Sequence, residues 1–211
     1  MSFFRMFKKS AMELKTLRCL TVTAILIGID LALKFTASIA LTQTLKISFA
    51  FLALASIGML FGPVVAGLAG VVTDVIGYFI KPQGAFNPLF TIVELVGAVI
   101  YGIFLYRLNP LKFSDGDNTK HNVIQVLRII FAKLSVVVVC NLVMTPAAMV
   151  LSGYDTVESI TAKYSIRVVK QLAQFPVDVV LLLIVLPAIM FAYNRANRGI
   201  SSRAAKKTHT D

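Results

Sequence analysis

Residues 47–80 read ISFAFLALASIGMLFGPVVAGLAGVVTDVIGYFI, 34 positions with Asp74 as the only charged side chain. At about 1.5 Å per residue, one straight helix of that length would rise roughly 51 Å. The hydrocarbon core of a bilayer is only about 30 Å thick. The block therefore has to reverse. Gly62-Pro63 lies near its middle, and proline both lacks the N–H for an upstream helical bond and starts a helix better than it continues one. Two helices are expected, 47–61 and 63–80.

The same reading extends outward. An apolar stretch at 20–35, interrupted by Asp30, precedes a moderately polar connection at 36–46. After the block, Lys81-Pro-Gln-Gly-Ala-Phe-Asn-Pro88 packs two prolines and a glycine into eight residues, a turn signature. Helices follow at 90–106, at 122–151 with a kink expected near Thr145 because Pro146 is internal, and at 164–193 with Pro176 and Pro187 inside. The hydrophilic stretch 107–121 and the polar segment 153–163 separate them. The expected fold is an all-α integral membrane protein, a single transmembrane domain over 1–211 built as a bundle of six helices.

Bulk composition agrees. Of 211 residues, 57% are hydrophobic and 15% charged, and the mean hydropathy is +0.81. A 23.0 kDa chain cannot hide that much apolar surface from water, so an ordinary soluble enzyme is excluded. The net charge of +11 gathers at the two ends and in one loop rather than on a polar face, which argues for membrane topology and against nucleic acid. Arg5, Lys8, Lys9, Lys15 and Arg18, then Arg107, Lys112 and Lys120, then Arg195, Arg198, Arg203, Lys206 and Lys207 fall on one side, which puts both termini in the cytoplasm. Residues 1–18 carry no small-residue cleavage site after the first apolar run and read as retained. Cys19 and Cys140 are far apart in apolar surroundings and read as core packing.

No catalytic constellation, phosphate-binding loop or metal motif can be drawn, so the chain reads as neither an enzyme nor an ATPase and calls for no cofactor. What stands out is polar and ionisable groups in or near the spans, which are costly in lipid and face a bundle interior or a cavity. Asp30 and Lys34, four apart, either neutralise each other or serve a ligand. Arg128 is expected to snorkel, and Lys133 needs a partner, an inter-helix ion pair or a ligand. Arg167 and Lys170 are either headgroup anchors or contacts to an anionic ligand. In the outer half, Asp74 and Tyr78 share a helix face, the 81–88 loop presents Gln83, Phe86 and Asn87, and Glu94 lies early in the next helix. A carboxylate, an amide and aromatic rings at one depth suit a planar hydrogen-bonding heterocycle. Ala24, Gly28 and Ala32 form a small-residue stripe that permits close approach of another helix.

Six helices in about 200 residues, the helix-one stripe, and above all the run from Phe61 to Thr91 with its Gly62-Pro63 turn, Asp74 ahead of Ile76-Gly-Tyr78 and the Lys81-Pro-x-Gly-Ala-Phe86 loop resemble the substrate-binding S component of energy-coupling factor (ECF) vitamin transporters, nearest the folate-specific branch. Arg167-x-x-Lys170 ahead of Pro176 also fits. Two positions depart from the family pattern: Gly28 stands where the stripe has alanine, and Asn87 where an aromatic residue is expected. The resemblance implies a cell-membrane protein that binds its vitamin on the extracellular side and docks on a transmembrane coupling protein driven by two cytoplasmic ATPases. Other vitamins, hydroxymethylpyrimidine or pantothenate, are the alternatives within the class, and a proton-coupled secondary transporter is the alternative outside it. For folate, Asp74, Glu94 or Asn141 would meet the pterin edge, Tyr78 and Phe86 would stack, and Arg167, Lys170 or Lys34 would meet the glutamate tail.

Overall fold

The computed structural model describes residues 3–36, 39–42, 45–47, 49–82, 86–108 and 119–207. Eight α-helices are assigned among them: α1 (Phe3–Glu13), α2 (Leu17–Thr36), α3 (Phe51–Phe61), α4 (Pro63–Ile80), α5 (Pro88–Leu105), α6 (Thr119–Val136), α7 (Thr145–Leu151) and α8 (Val157–Lys207). A π-helical segment, Val137–Met144, joins α6 to α7 in one continuous rod. Five segments are long and apolar enough to cross a membrane: Leu17–Thr36, Pro63–Ile80, Pro88–Leu105, Asn122–Leu151 and Val157–Asn197. The chain is a helical membrane protein.

Three features depart from the sequence reading. Residues expected to be a plain connection form a β-hairpin, β1 (Ile39–Thr42) against β2 (Leu45–Ile47), antiparallel with Ile39 opposite Ile47. The β-branched Ile39, Thr42 and Ile47 favour extended backbone there, so the fold is not purely α. The helix expected at 47–61 begins only at Phe51 and has 11 residues, a rise of about 16 Å that falls short of a bilayer core. The amphipathic α1 had no counterpart in the pattern of long apolar runs.

α3 tolerates its shortness because protein surrounds it. Leu52 to Met59 and Phe61 are all buried, and α3 contributes to both core clusters, one with α5, α6 and α8 and the other with α2, α4 and α5. A helix apolar on every side belongs in a core. By contrast, α8 leaves Val169, Leu172, Val180, Ile184 and Phe191 exposed, the surface that lipid covers.

The reversal falls where the sequence put it. Gly62 has φ +90°, a region that disfavours any side chain, and it closes α3 while opening α4 at Pro63. Packing makes a second glycine obligatory: a Cβ on Gly102 of α5 would lie 2.4 Å from the Cα of Pro63 and 2.6 Å from its nitrogen. The buried hydroxyl of Ser10 in α1 then accepts from the amides of Val64 (3.0 Å) and Val65 (3.4 Å), capping α4 from 54 residues away. Near Pro146, the expected kink is a π-helical stretch. Thr145 donates both its amide and its hydroxyl (2.8 Å) to the Cys140 carbonyl, and the Leu142 carbonyl, which proline cannot serve, accepts from the Tyr164 hydroxyl at 3.4 Å.

Candidate functional site

The ends of these helices distant from Gly62 enclose a cavity of about 380 Å³. α2 contributes Asp30 and Lys34, α4 Asp74, and α5 Glu94 and Tyr101; α6 contributes Lys133, the π segment Asn141, and α8 Lys170, Gln171 and Gln174. Phe51 and Phe90 supply aromatic surface.

Charge divides this lining into two walls. On one, Lys34 Nζ sits 3.1 Å from Asp30 and 3.5 Å from Glu94, so one cation serves two carboxylates. Asp74 accepts from the Thr91 hydroxyl at 2.5 Å. Three acids and one base make this wall acidic. On the other, Lys133 pairs with Asp178 at 2.7 Å, both side chains at least 95% buried, and its ammonium lies 3.9 Å from the centre of the Phe51 ring. Lys170 lies on the same side. Gln174 reaches Asp178 at 3.4 Å, and Asn141 donates to Gln171 at 3.2 Å, leaving an amide pair with further donor and acceptor capacity at the cavity surface.

Among the uncharged groups of the lining, one polar atom stands apart. Tyr101 is 2% exposed and lines the cavity, and its hydroxyl has no hydrogen-bond partner among the described residues. A buried hydroxyl left unpaired is costly, and a bound molecule can supply the missing bond.

Of the residues singled out from sequence, Lys34, Asp74, Glu94, Asn141 and Lys170 come together in this cavity. Tyr78, Phe86, Asn87 and Arg167 are not among its lining residues. Tyr78 and Phe86 meet edge-on with ring centres 5.1 Å apart. Asn87 caps α5 by accepting from Leu89 N at 3.0 Å and donates its amide to Ser152. Arg167 reaches the Met149 sulfur at 3.3 Å. Gln83 lies outside the described residues. Arg128, expected to snorkel, is half-buried and donates to the carbonyls of Phe104 (3.0 Å) and Tyr106 (3.3 Å) at the end of α5. Ala24, Gly28 and Ala32 are all exposed on one face of α2, and a Cβ on Gly28 would meet nothing within 4 Å. Sequence reasoning missed Tyr101, Gln171 and Gln174. Gln171, Gln174 and Asp178 recur at helical spacing along α8, a legible stripe, whereas nothing in sequence marks one tyrosine hydroxyl as unpaired.

A helical bundle in lipid that walls off a polar, charge-divided cavity is a membrane-embedded binding component. Comparison with known proteins specifies which. The family described as "ECF transporter, substrate-specific component" matches residues 18–195, and the chain belongs to it. It is 34% identical over 142 residues to the folate transporter FolT of Clostridium novyi (strain NT), covering 67% of this chain and 72% of that one. With FolT of Leuconostoc mesenteroides subsp. mesenteroides it shares 28% identity over 140 residues, 65% and 69% of the two chains. A crystal structure of FolT bound with folic acid resembles it with a TM-score of 0.66 at 28% identity, over 80% of this chain and 91% of that one. The chain is thus a multi-pass membrane protein and the substrate-specific part of a transporter, not an enzyme.

Proposed function

We propose that this chain binds folate on the outer side of a bacterial plasma membrane and passes it to an ATP-driven module, a transmembrane coupling protein with two cytoplasmic ATPases. The observation that carries the reading is the divided cavity. An acidic wall with amide groups nearby suits the donor and acceptor edge of a pterin, and a wall bearing Lys170 suits the carboxylates of a glutamate tail. Arg167, one turn before Lys170, extends the basic side, while Lys34 is engaged by Asp30 and Glu94 and reads as organising the acidic wall. Tyr78, Phe86 and Asn87 form the rim of the site in this reading. The likeness to FolT supports the same assignment.

In this reading the molecule is a single six-crossing domain. α3 makes the second crossing, both termini are cytoplasmic, and the cavity lies in the outer half. The exposed stripe of Ala24, Gly28 and Ala32 receives a helix of the coupling protein.

The test is calorimetric titration of the detergent-purified chain with folic acid and with pteroic acid, which keeps the pterin and aromatic linker but lacks the glutamate. Folic acid should bind. Replacing Lys170 or Arg167 by Ala should weaken folic acid far more than pteroic acid, and Asp74→Ala or Glu94→Ala should weaken both alike. Failure of the unaltered chain to bind folic acid, with pantothenate or hydroxymethylpyrimidine binding instead, would overturn the assignment. Liposomes holding this chain alone should show no uptake; uptake driven by a proton gradient would make it a secondary transporter.

A further inference from the structure

α1 precedes the residues that the family match covers, 18–195, so the family assigns it nothing. Its 11 residues, Phe-Phe-Arg-Met-Phe-Lys-Lys-Ser-Ala-Met-Glu, divide into three sectors at 100° per residue. Met6, Ser10 and Glu13 form the sector turned to the bundle, with Ser10 fully buried against the start of α4. Beside it runs an apolar sector of Phe3, Phe7, Ala11 and Phe4, in which Phe4 is 85% exposed and Phe3 packs on Phe7 with ring centres 4.8 Å apart. The third sector holds Arg5, Lys8 and Lys9 around Met12, all exposed.

We infer that α1 is an interfacial anchor: it lies in the membrane surface at the Gly62 end of the bundle, its phenylalanines in the acyl boundary and its three cations on anionic phospholipid headgroups. Three observations choose lipid as the occupant. The basic sector is complementary to phosphate. The apolar sector continues, across the turn at Lys15 and Thr16, into Leu17 (82% exposed) and Leu20 of α2, surface that a spanning helix presents to lipid. The sector of Met6, Ser10 and Glu13 is already taken by the bundle, which fixes α1 at the rim of the span, where an amphipathic helix of this composition settles. Because Ser10 caps α4, lipid that holds α1 also holds the cap on the helix that carries Asp74 into the cavity.

The chain has no tryptophan, so Phe4→Trp in the full-length protein gives a single reporter at an exposed position. Reconstituted in phosphatidylcholine vesicles, the reporter should be quenched by lipids brominated near the headgroup and shielded from aqueous iodide. Adding phosphatidylglycerol should lower the iodide quenching constant several-fold. Combining Phe4→Trp with Arg5→Gln, Lys8→Gln and Lys9→Gln should abolish that increment. In nanodiscs, phosphatidylglycerol should raise the melting midpoint of the unaltered chain and raise that of Ser10→Ala less. Iodide access equal to that of free tryptophan in every vesicle would overturn the proposal and point to a protein or solvent neighbour for this face. A phosphatidylglycerol effect that survives the triple Gln substitution would overturn the assignment of those three cations. Neither result depends on which vitamin the cavity takes.

Discussion

Replacing Tyr101 by Phe separates the stability of the bundle from its affinity for ligand, because the hydroxyl is buried and unpaired among the described residues. Leaving such a group unsatisfied costs about 1–3 kcal/mol. Deleting it while keeping the ring should therefore hold or raise the ligand-free melting midpoint, by about 2–4 °C for each kcal/mol recovered in a chain of this size. Binding should move the other way. A hydroxyl that gains a partner from the ligand contributes about 0.5–1.5 kcal/mol net, so its loss weakens folic acid roughly two- to twelve-fold. The midpoint is read by thermal denaturation in detergent and the affinity by calorimetry on the same preparations. A lower ligand-free midpoint would mean that the hydroxyl already has a partner. An unchanged affinity would mean that the ligand never reaches the floor of the cavity. Either result refutes the reasoning.

Lys133→Met should destabilise the chain by about 3–5 kcal/mol, because it leaves Asp178 buried and uncompensated; combining it with Asp178→Leu should recover most of that loss in thermal denaturation. Gly28→Leu should leave melting and folic acid affinity unchanged, since nothing lies within 4 Å of a Cβ there, yet reduce ATP-dependent uptake once the partner chains are present; loss of binding as well would place the stripe inside the fold. Asp155, in the loop before α8, is held below the usual carboxylate range by the Ser159 hydroxyl and by the Lys163 ammonium at 3.2 Å. A depressed folded value stabilises above the unfolded pKa and is lost as pH falls through the folded one, so an NMR titration should show Asp155 protonating later than a free carboxylate on acidification, and Lys163→Met should move it back toward the ordinary value.

The parts of the fold that were legible in sequence are those set by single residues against the lipid constraint. Gly62-Pro63 had to break a run too long for the bilayer, and Pro146 had to disturb its helix; both did. The hairpin was illegible because its residues are neither apolar enough for a span nor turn-rich enough to mark two strands. α1 escaped because an amphipathic helix at the surface leaves no long apolar run, and Ser10 escaped because a cap supplied from 54 residues away has no local signature. In the site, Lys34, Asp74, Glu94, Asn141 and Lys170 were readable one at a time as expensive groups in lipid. Their partners were not: that Lys133 meets Asp178 and that Lys34 is shared by Asp30 and Glu94 depends on how helices rotate against one another.

That rotation is fixed at the end of the bundle away from the cavity. α4 and α5 pack most extensively on each other, and near Gly62 they touch backbone to backbone, with no room for a methyl group between Gly102 and Pro63. Contact that close allows neither helix to turn about its axis without a clash, since packed backbone has no rotamer with which to yield. Asp74 lies 11 residues beyond Pro63 on the same rigid helix, and Glu94 lies 8 residues before Gly102 on the other, about 16 Å and 12 Å along their axes. The glycine contact thus sets the azimuth at which both carboxylates enter the cavity, and Gly70 of α4, where a Cβ would lie 3.0 Å from the Glu94 carbonyl oxygen, carries the same close approach up to the acidic wall. The residues that define the acidic wall are positioned by residues that never line it.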